Sequence, residues 1–89
     1  MQTLEVTTYT RLQLYWELCR YRQEFNGESM SDRTFRHWKQ KLGIVPDHLG
    51  LYWQSDLERM KEAVRRLSQG QSLDQIAIFF KEQLHATAR

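Results

Sequence analysis

A cluster of cationic and amide side chains within residues 31–43 has the spacing of one helix face, because residues three or four positions apart share a face of an α-helix. The polar members of that face are Arg33, Arg36, His37 and Gln40. The apolar side chains on the opposite face are Phe35, Trp38 and Leu42. Guanidinium groups pair with guanine edges or phosphates, and a glutamine amide pairs with adenine. The pattern therefore predicts a helix that presents DNA-binding groups to a major groove.

The residues around this face leave two interpretations open. Lys39 and Lys41 flank it, and its one acidic residue is Asp32 at the helix start, where a carboxylate stabilises the helix dipole. One interpretation is that these residues bind DNA. The alternative is that they form an ordinary solvated helix face, as most charge clusters do. The shortage of opposing acids favours DNA binding, as does the short glycine-containing turn before the helix, which is typical of a helix-turn-helix.

Composition indicates the kind of domain that must position these residues. The chain has 89 residues, of which 40% are hydrophobic and 27% charged, and this profile predicts one globular domain. A single cysteine, Cys19, cannot form an internal disulfide and fits a reducing compartment. No signal peptide or long apolar run is visible, so we expect a soluble, cytoplasmic protein that has no membrane partner. The net charge of +2 supports nucleic-acid binding only weakly.

Helix start and stop signals predict an all-α chain with helices at about 11–25, 32–42, 56–69 and 73–86. The capping-box pairs are Thr10 with Gln13, Ser55 with Glu58 and Ser72 with Gln75, and Ser31 is a further N-cap. Glycines at 27, 43 and 70 mark helix ends. Residues 43–54 predict a small hairpin or an extended wing. Residues 1–9 form a tail before a domain at 10–86, and Glu5 to Tyr9 are either a short strand or a frayed end.

Helical spacing also predicts the core. The first helix contributes Leu12, Tyr15, Trp16 and Cys19, with Leu18 and Phe25 beside them. The third contributes Leu57, Met60, Val64 and Leu67, and the fourth Leu73, Ile76, Ala77, Phe80 and Leu84. Ile78 and Phe79 lie beside the stripe of the fourth helix, where they either complete the core or form an apolar patch for a protein partner or a second copy of the chain.

Several runs together resemble MerR-type regulators. The run Ser31-x-Arg33-Thr34-x-Arg36-x-Trp38, followed by Leu42-Gly43-Ile44 and Pro46, resembles their recognition helix and its exit. Tyr52, the run 55–60 and Gly70-x-Ser72-Leu73-Asp74-x-Ile76 are similar to the family's continuation. The resemblance covers roughly Thr10 to Phe80 and implies a four-helix winged helix-turn-helix, an architecture that excisionase-like proteins share. It implies that Arg33, Thr34 and Arg36 face DNA and that Tyr52 is the wing tyrosine.

The chain also departs from that family. The wing is shorter, Leu51 stands where an arginine often precedes the tyrosine, and His48 is the substitute for a phosphate contact. The family's dimerisation helix and effector-binding region have no counterpart, so no small-molecule effector is expected.

The prediction is sequence-specific duplex DNA binding, as a transcriptional regulator or architectural factor, by Arg33, Thr34, Arg36, His37, Lys39, Gln40, Tyr52 and Arg65. Arg65 is either a phosphate clamp or part of a solvated set of ion pairs. The alternative is a helical adaptor that docks on a larger complex through Ile78, Phe79 and the aromatics of the first helix. A homodimer is a possible assembly, and a chain recruited to DNA by a partner would combine both functions. No nucleophile–base pair, phosphate loop or metal-ligand spacing is visible, so neither an enzyme, a cofactor nor a metal is expected.

Overall fold

Four helices and one pair of two-residue strands make up the described part of the chain. The structure is a computed structural model that describes the backbone of residues 7–87 and the side chains of residues 7–83. In chain order the elements are β1 (Thr8–Tyr9), α1 (Arg11–Asn26), α2 (Asp32–Leu42), β2 (Tyr52–Trp53), α3 (Gln54–Ser68) and α4 (Leu73–Thr87). The predicted four-helix, mostly helical class is confirmed. None of the described helices combines the length and the apolarity needed to cross a bilayer.

Side-chain caps fix where α1, α2 and α4 begin. The Thr10 hydroxyl accepts from the Gln13 amide at 3.2 Å, and the Gln13 side chain accepts from the Thr10 amide at 2.9 Å. Ser72 and Gln75 form the same reciprocal pair at 3.2 and 2.8 Å. The Ser31 hydroxyl accepts from the Thr34 amide at 3.1 Å. These three predicted caps are confirmed, and each satisfies backbone donors that a helix start leaves unpaired.

The predicted cap of α3 at Ser55 is wrong, because the helix begins one residue earlier, at Gln54. Trp53 precedes it with extended backbone, and its amide donates to Asp56 Oδ2 at 2.8 Å. A carboxylate is a stronger acceptor than a hydroxyl, and one in the first turn also stabilises the helix dipole. Asp56 therefore takes the role that the sequence pattern gave to the pair of Ser55 and Glu58.

The core confirms the predicted inner faces of α2, α3 and α4 for most residues. Its buried members from these helices include Phe35, Trp38, Leu42, Leu57, Met60, Val64, Ile76 and Phe80. Leu67, Leu73 and Ala77 are partly buried against them. Leu84, also predicted to be in the core, lies outside the described side chains.

The predicted core face of α1 is confirmed for Leu18 and, in part, for Tyr15 and Cys19, but it is wrong for Leu12, Trp16 and Phe25. Leu14 and Leu18 are fully buried, whereas Leu12 and Trp16 are 58% and 61% exposed. Phe25 is also exposed, and Tyr15 and Cys19 are only partly buried. Because α1 carries apolar residues all around its axis, its sequence fits more than one phase. Packing of α1 against α3 selects the phase that buries Leu14 and Leu18.

The segment between α2 and α3 is not a hairpin. Its strand β2 pairs antiparallel with β1, joining Thr8 to Trp53 and Tyr9 to Tyr52. The strand alternative for residues up to Tyr9 is therefore observed at Thr8–Tyr9, whereas Glu5 lies outside the described residues. The tail assigned to residues 1–9 thus includes two positions that belong to the folded unit.

Asp47 organises the loop that precedes β2. Its Oδ1 accepts from the amides of Leu49 and Leu51 at 2.9 and 3.0 Å, and its Oδ2 accepts from the indole of Trp53 at 3.1 Å. The hydrogen bond from the Leu51 amide is the main reason that the pKa of Asp47 lies below its ordinary value. The loop therefore has a defined conformation although Leu49 at its tip is exposed.

Candidate nucleic-acid interface

The linker between α1 and α2 is held by side chains of α1. The Tyr15 hydroxyl donates to the Met30 carbonyl at 2.8 Å, and the Cys19 thiol donates to the same oxygen at 3.7 Å. Arg22 donates to the Ser29 carbonyl at 2.9 Å. Gly27 ends α1 in the left-handed region at φ +75°, which glycine adopts without strain. These contacts fix the direction in which α2 leaves the linker.

The inner face of α2 is anchored by its aromatic side chains. Phe35 is fully buried and Trp38 is 6% exposed. Tyr15 meets Phe35 edge to face, with ring centroids 5.2 Å apart. The Arg11 guanidinium lies 5.6 Å from the Phe35 centroid, and that of Arg22 lies 5.3 Å from the Trp38 ring. With this face fixed, the opposite face of α2 must point to solvent.

That outer face carries the four predicted polar residues. All of them are exposed: Arg33, Arg36, His37 and Gln40. Within the described side chains, no hydrogen bond or ion pair engages Arg33. Arg36 places its Nε 3.1 Å from Asp32 Oδ2, and its side chain remains 64% exposed. An exposed ion pair of this kind contributes about 0–1 kcal/mol, so a phosphate can replace the carboxylate as its partner.

Asp32 is the acid at the start of this face, and two cations neutralise it. Arg11 from α1 hydrogen-bonds to its Oδ1, and Arg36 approaches its other oxygen. The bond from Arg11 is the main cause of the lowered pKa of Asp32. The carboxylate therefore stays ionised, and its charge is compensated on the side where α1 begins.

Both lysines of α2 have partners within the protein. Lys39 Nζ donates to the Tyr52 hydroxyl at 2.9 Å and lies 5.2 Å from the Phe35 centroid. Lys41 Nζ is 2.6 Å from Asp74 Oδ1, which ties α2 to α4 and is the main reason that the pKa of Asp74 is lowered. Lys39, predicted to contact DNA, is thus only partly exposed and has internal partners.

Three other residues that were predicted to contact DNA also have partners within the protein. The structure corrects the placement of Tyr52, which is 3% exposed and packs in the core instead of on the wing surface. Arg65 donates to the Tyr21 hydroxyl at 2.9 Å and to Glu62 at 2.6 Å, and the bond to Glu62 is the main cause of its raised pKa. Thr34 is partly buried and belongs to the cap of α2. The outer face of α2 is therefore the part of the predicted site that the structure keeps together.

Ile78 and Phe79, the predicted partner patch, differ in exposure. Ile78 is 58% exposed. Phe79 is partly buried beneath Arg66, whose guanidinium lies 3.8 Å from the ring centroid, and it packs beside Phe80. Because Phe79 is partly buried and has a guanidinium over its ring, it offers a partner less surface than Ile78 does.

Sequence reasoning missed residues that position the start of α2 and the loop before β2. Arg11 bonds to an acid 21 positions away, and Asp47 organises a loop through backbone amides that have no sequence signature. A helical wheel of α1 could have found Arg11 and Arg22, because both share the stripe of Tyr15 that faces α2. Among the side chains the structure describes, no group of three His, Cys, Asp or Glu residues could hold a metal ion.

No family model matches the chain, and neither a curated protein nor a solved structure matches it. The resemblance to MerR-type regulators therefore stands on the sequence motifs alone.

Proposed function

We propose that this chain binds duplex DNA through the outer face of α2. The observation that carries the proposal is the division of α2 into two faces. Its aromatic residues are buried, and Arg33 and Arg36 are exposed on the opposite side. Guanidinium groups in this position can bond to phosphates and to guanine edges when a helix enters the major groove. A small transcriptional regulator or architectural factor would use this face for sequence-specific binding.

The arrangement around α2 supports a winged helix-turn-helix form of the proposal. The two helices of the motif would be α1 and α2, and the turn would be the linker that side chains of α1 hold in place. The wing would be the loop before β2. Because Tyr52 is internal, contacts from the wing fall to exposed loop residues such as His48. Imidazole donors near a phosphate position a duplex without reading its sequence.

The test compares matched arginine variants on random-sequence duplex DNA, first by selection and then by fluorescence anisotropy at two salt concentrations. Arg33→Ala and Arg36→Ala are expected to weaken binding and to leave the thermal melt near that of the unmodified chain. Arg20→Ala is the control, because Arg20 is an exposed arginine of α1 paired with Glu17. Equal binding by all three variants and the unmodified chain would exclude α2 as the DNA-binding element.

An adaptor function is the second candidate, and exposed apolar side chains favour it. Leu12 and Trp16 lie one helical turn apart on α1, both more than half exposed, and Ile78 is exposed on α4. Such residues can bury apolar surface against a protein partner or a second copy of the chain. Salt separates the two functions: phosphate contacts weaken steeply with added salt, whereas apolar docking changes little.

A further inference from the structure

A cleft of about 250 Å³ lies between the C-terminal end of α2, α3 and α4. Its apolar lining consists of Leu42, Ala77, Ile78 and Phe80. Its polar lining consists of Gln40, Lys41, Arg59 and Lys81. Three cations therefore surround one concave, partly apolar surface, and none of the described side chains in the lining is acidic. A concave site of this kind favours an anion that carries an apolar part.

Two of the three cations in the lining have ion-pair partners among the described residues, and the third does not. Lys41 is paired with Asp74, and Arg59 with Asp56. Lys81 forms no ion pair within the described part of the chain. The Nε–H of Arg59 is buried without a hydrogen-bond partner among the described atoms. This atom is shielded from solvent, so the charge available to an incoming anion is that of Lys81.

We infer that this cleft binds a backbone phosphate of the duplex, as a second contact beside the outer face of α2. The inference rests on the proposed function and adds a site to it. Gln40 belongs to both surfaces, so a strand that meets Arg33 and Arg36 can continue into the cleft. The volume corresponds to about eight water molecules, which exceeds a bare phosphate ion and accommodates a phosphate with its deoxyribose.

The electrostatics of the cleft suit a phosphate diester. Helix C-termini normally disfavour anions because their last carbonyls are unpaired. Here the Lys39 carbonyl accepts from the Ile44 amide at 2.9 Å, and the Gln40 carbonyl accepts from the Gly43 amide at 3.4 Å. The apolar wall also lowers the local dielectric, which strengthens the attraction between a phosphate and Lys81, the lining cation that has no ion pair among the described residues. A phosphate can therefore sit beside the end of α2.

The experiment compares a variant that lacks one cation of the cleft with a variant that lacks a cation elsewhere on the surface. Lys81→Ala is the test variant, because Lys81 is exposed on α4 and its replacement should leave the fold intact. Lys61→Ala is the control, because its ammonium lies 5.4 Å from the Tyr21 centroid on the α1 side of α3. Affinity for one selected duplex and one unrelated duplex is measured by fluorescence anisotropy over a range of KCl concentrations.

Lys81→Ala is expected to lose affinity for both duplexes by about eightfold near 0.1 M salt. The slope of log affinity against log salt should fall by about 0.9, because one fewer counterion is released. Lys61→Ala should retain the full slope. The inference is overturned if the unmodified chain binds duplex and both lysine variants behave alike.

A second measurement separates failure of the inference from failure of the proposed function. Amide chemical shifts are followed by NMR while inorganic phosphate, deoxyribose 5-phosphate or a glutamate hexapeptide is added. Saturable shifts at Ile78 and Lys81 with deoxyribose 5-phosphate, in a chain that also binds duplex, support the cleft. The same shifts in a chain that does not bind duplex would show that the cleft binds a phosphate that does not come from DNA, and this would overturn the inference. Shifts with the peptide alone, or none at all, would overturn the phosphate site itself.

Discussion

The Lys39 ammonium donates a 2.9 Å hydrogen bond to the Tyr52 hydroxyl and lies 5.1 Å from the centre of the same ring. The contact joins the middle of α2 to β2, and through the strand pair to β1. Tyr52 is 3% exposed, so the contact supports α2 from its inner side. The helix proposed to bind DNA is thus held by a contact with β2, which is itself paired with β1 at the start of the described chain.

Replacing Tyr52 by Phe should lower the free energy of unfolding by about 1 kcal/mol and leave duplex affinity unchanged. The ring stays in place, and the Lys39 ammonium loses one neutral acceptor. Urea unfolding and anisotropy measure the two quantities. Tyr9→Phe is the matched control, since its hydroxyl bonds to Gln54 at the surface, and a smaller effect is expected there. Weaker DNA binding at unchanged stability would instead place Tyr52 on the duplex.

Replacing Asp32 by Asn should strengthen duplex binding. The change removes the acid nearest the outer face and releases Arg36, which now lies 3.1 Å from that carboxylate. The gain should be larger at low salt because the charges are exposed. Binding isotherms at two salt concentrations measure it. In an Arg36→Ala background most of the gain should disappear, and an equal gain in both backgrounds would contradict a role for Arg36.

The loop before β2 should loosen in acid through Asp47. The folded-state pKa of Asp47 lies below its ordinary value of 3.8, mainly because the Leu51 amide donates to the carboxylate. A lowered folded-state pKa stabilises the fold above pH 3.8, and this contribution is lost as the pH falls through the folded-state value. The indole proton resonance of Trp53 should follow the titration, because that group donates to Asp47 at 3.1 Å. Asp47→Asn should abolish the pH dependence, and a resonance that titrates equally in the variant would refute this assignment.

Two leucines of α1 test which face of that helix is buried. Leu14→Ala should lower the free energy of unfolding by about 2–5 kcal/mol, because Leu14 is fully buried. Leu12→Ala should change it by less than about 0.5 kcal/mol, because Leu12 is 58% exposed. Urea denaturation of both variants gives the comparison. The opposite order would restore the face that the sequence alone predicts.

The accuracy of sequence-based prediction differs between α1 and α2 for a physical reason. In α2 the polar and apolar residues separate cleanly around the helix axis, and Ser31 marks its start, so both its bounds and its inner face were predictable. In α1 the apolar residues surround the axis, so periodicity allowed several faces. Contact with α3 decides among them, and no spacing within α1 reveals that contact.

The candidate site shows the same division. Arg33 and Arg36 could be assigned to the outer face because a single helix determines their positions. Tyr52 could not, because its burial depends on strand β1 and on Lys39, which stands 13 positions earlier. A motif resemblance describes the order of residues along a chain, but the direction in which Tyr52 points follows from the pairing of β2.

The pairing of Thr8 and Tyr9 with Trp53 and Tyr52 also bears on how short a working fragment can be. A truncation that starts at Thr10 would keep every helix and still strip β2 of its neighbour. The loss would reach Lys39 through Tyr52, at the back of the helix proposed to meet DNA. A minimal version should therefore begin no later than Thr8. Because β1 and β2 are antiparallel, with Thr8 opposite Trp53, an affinity tag placed before Thr8 would extend towards the start of α3.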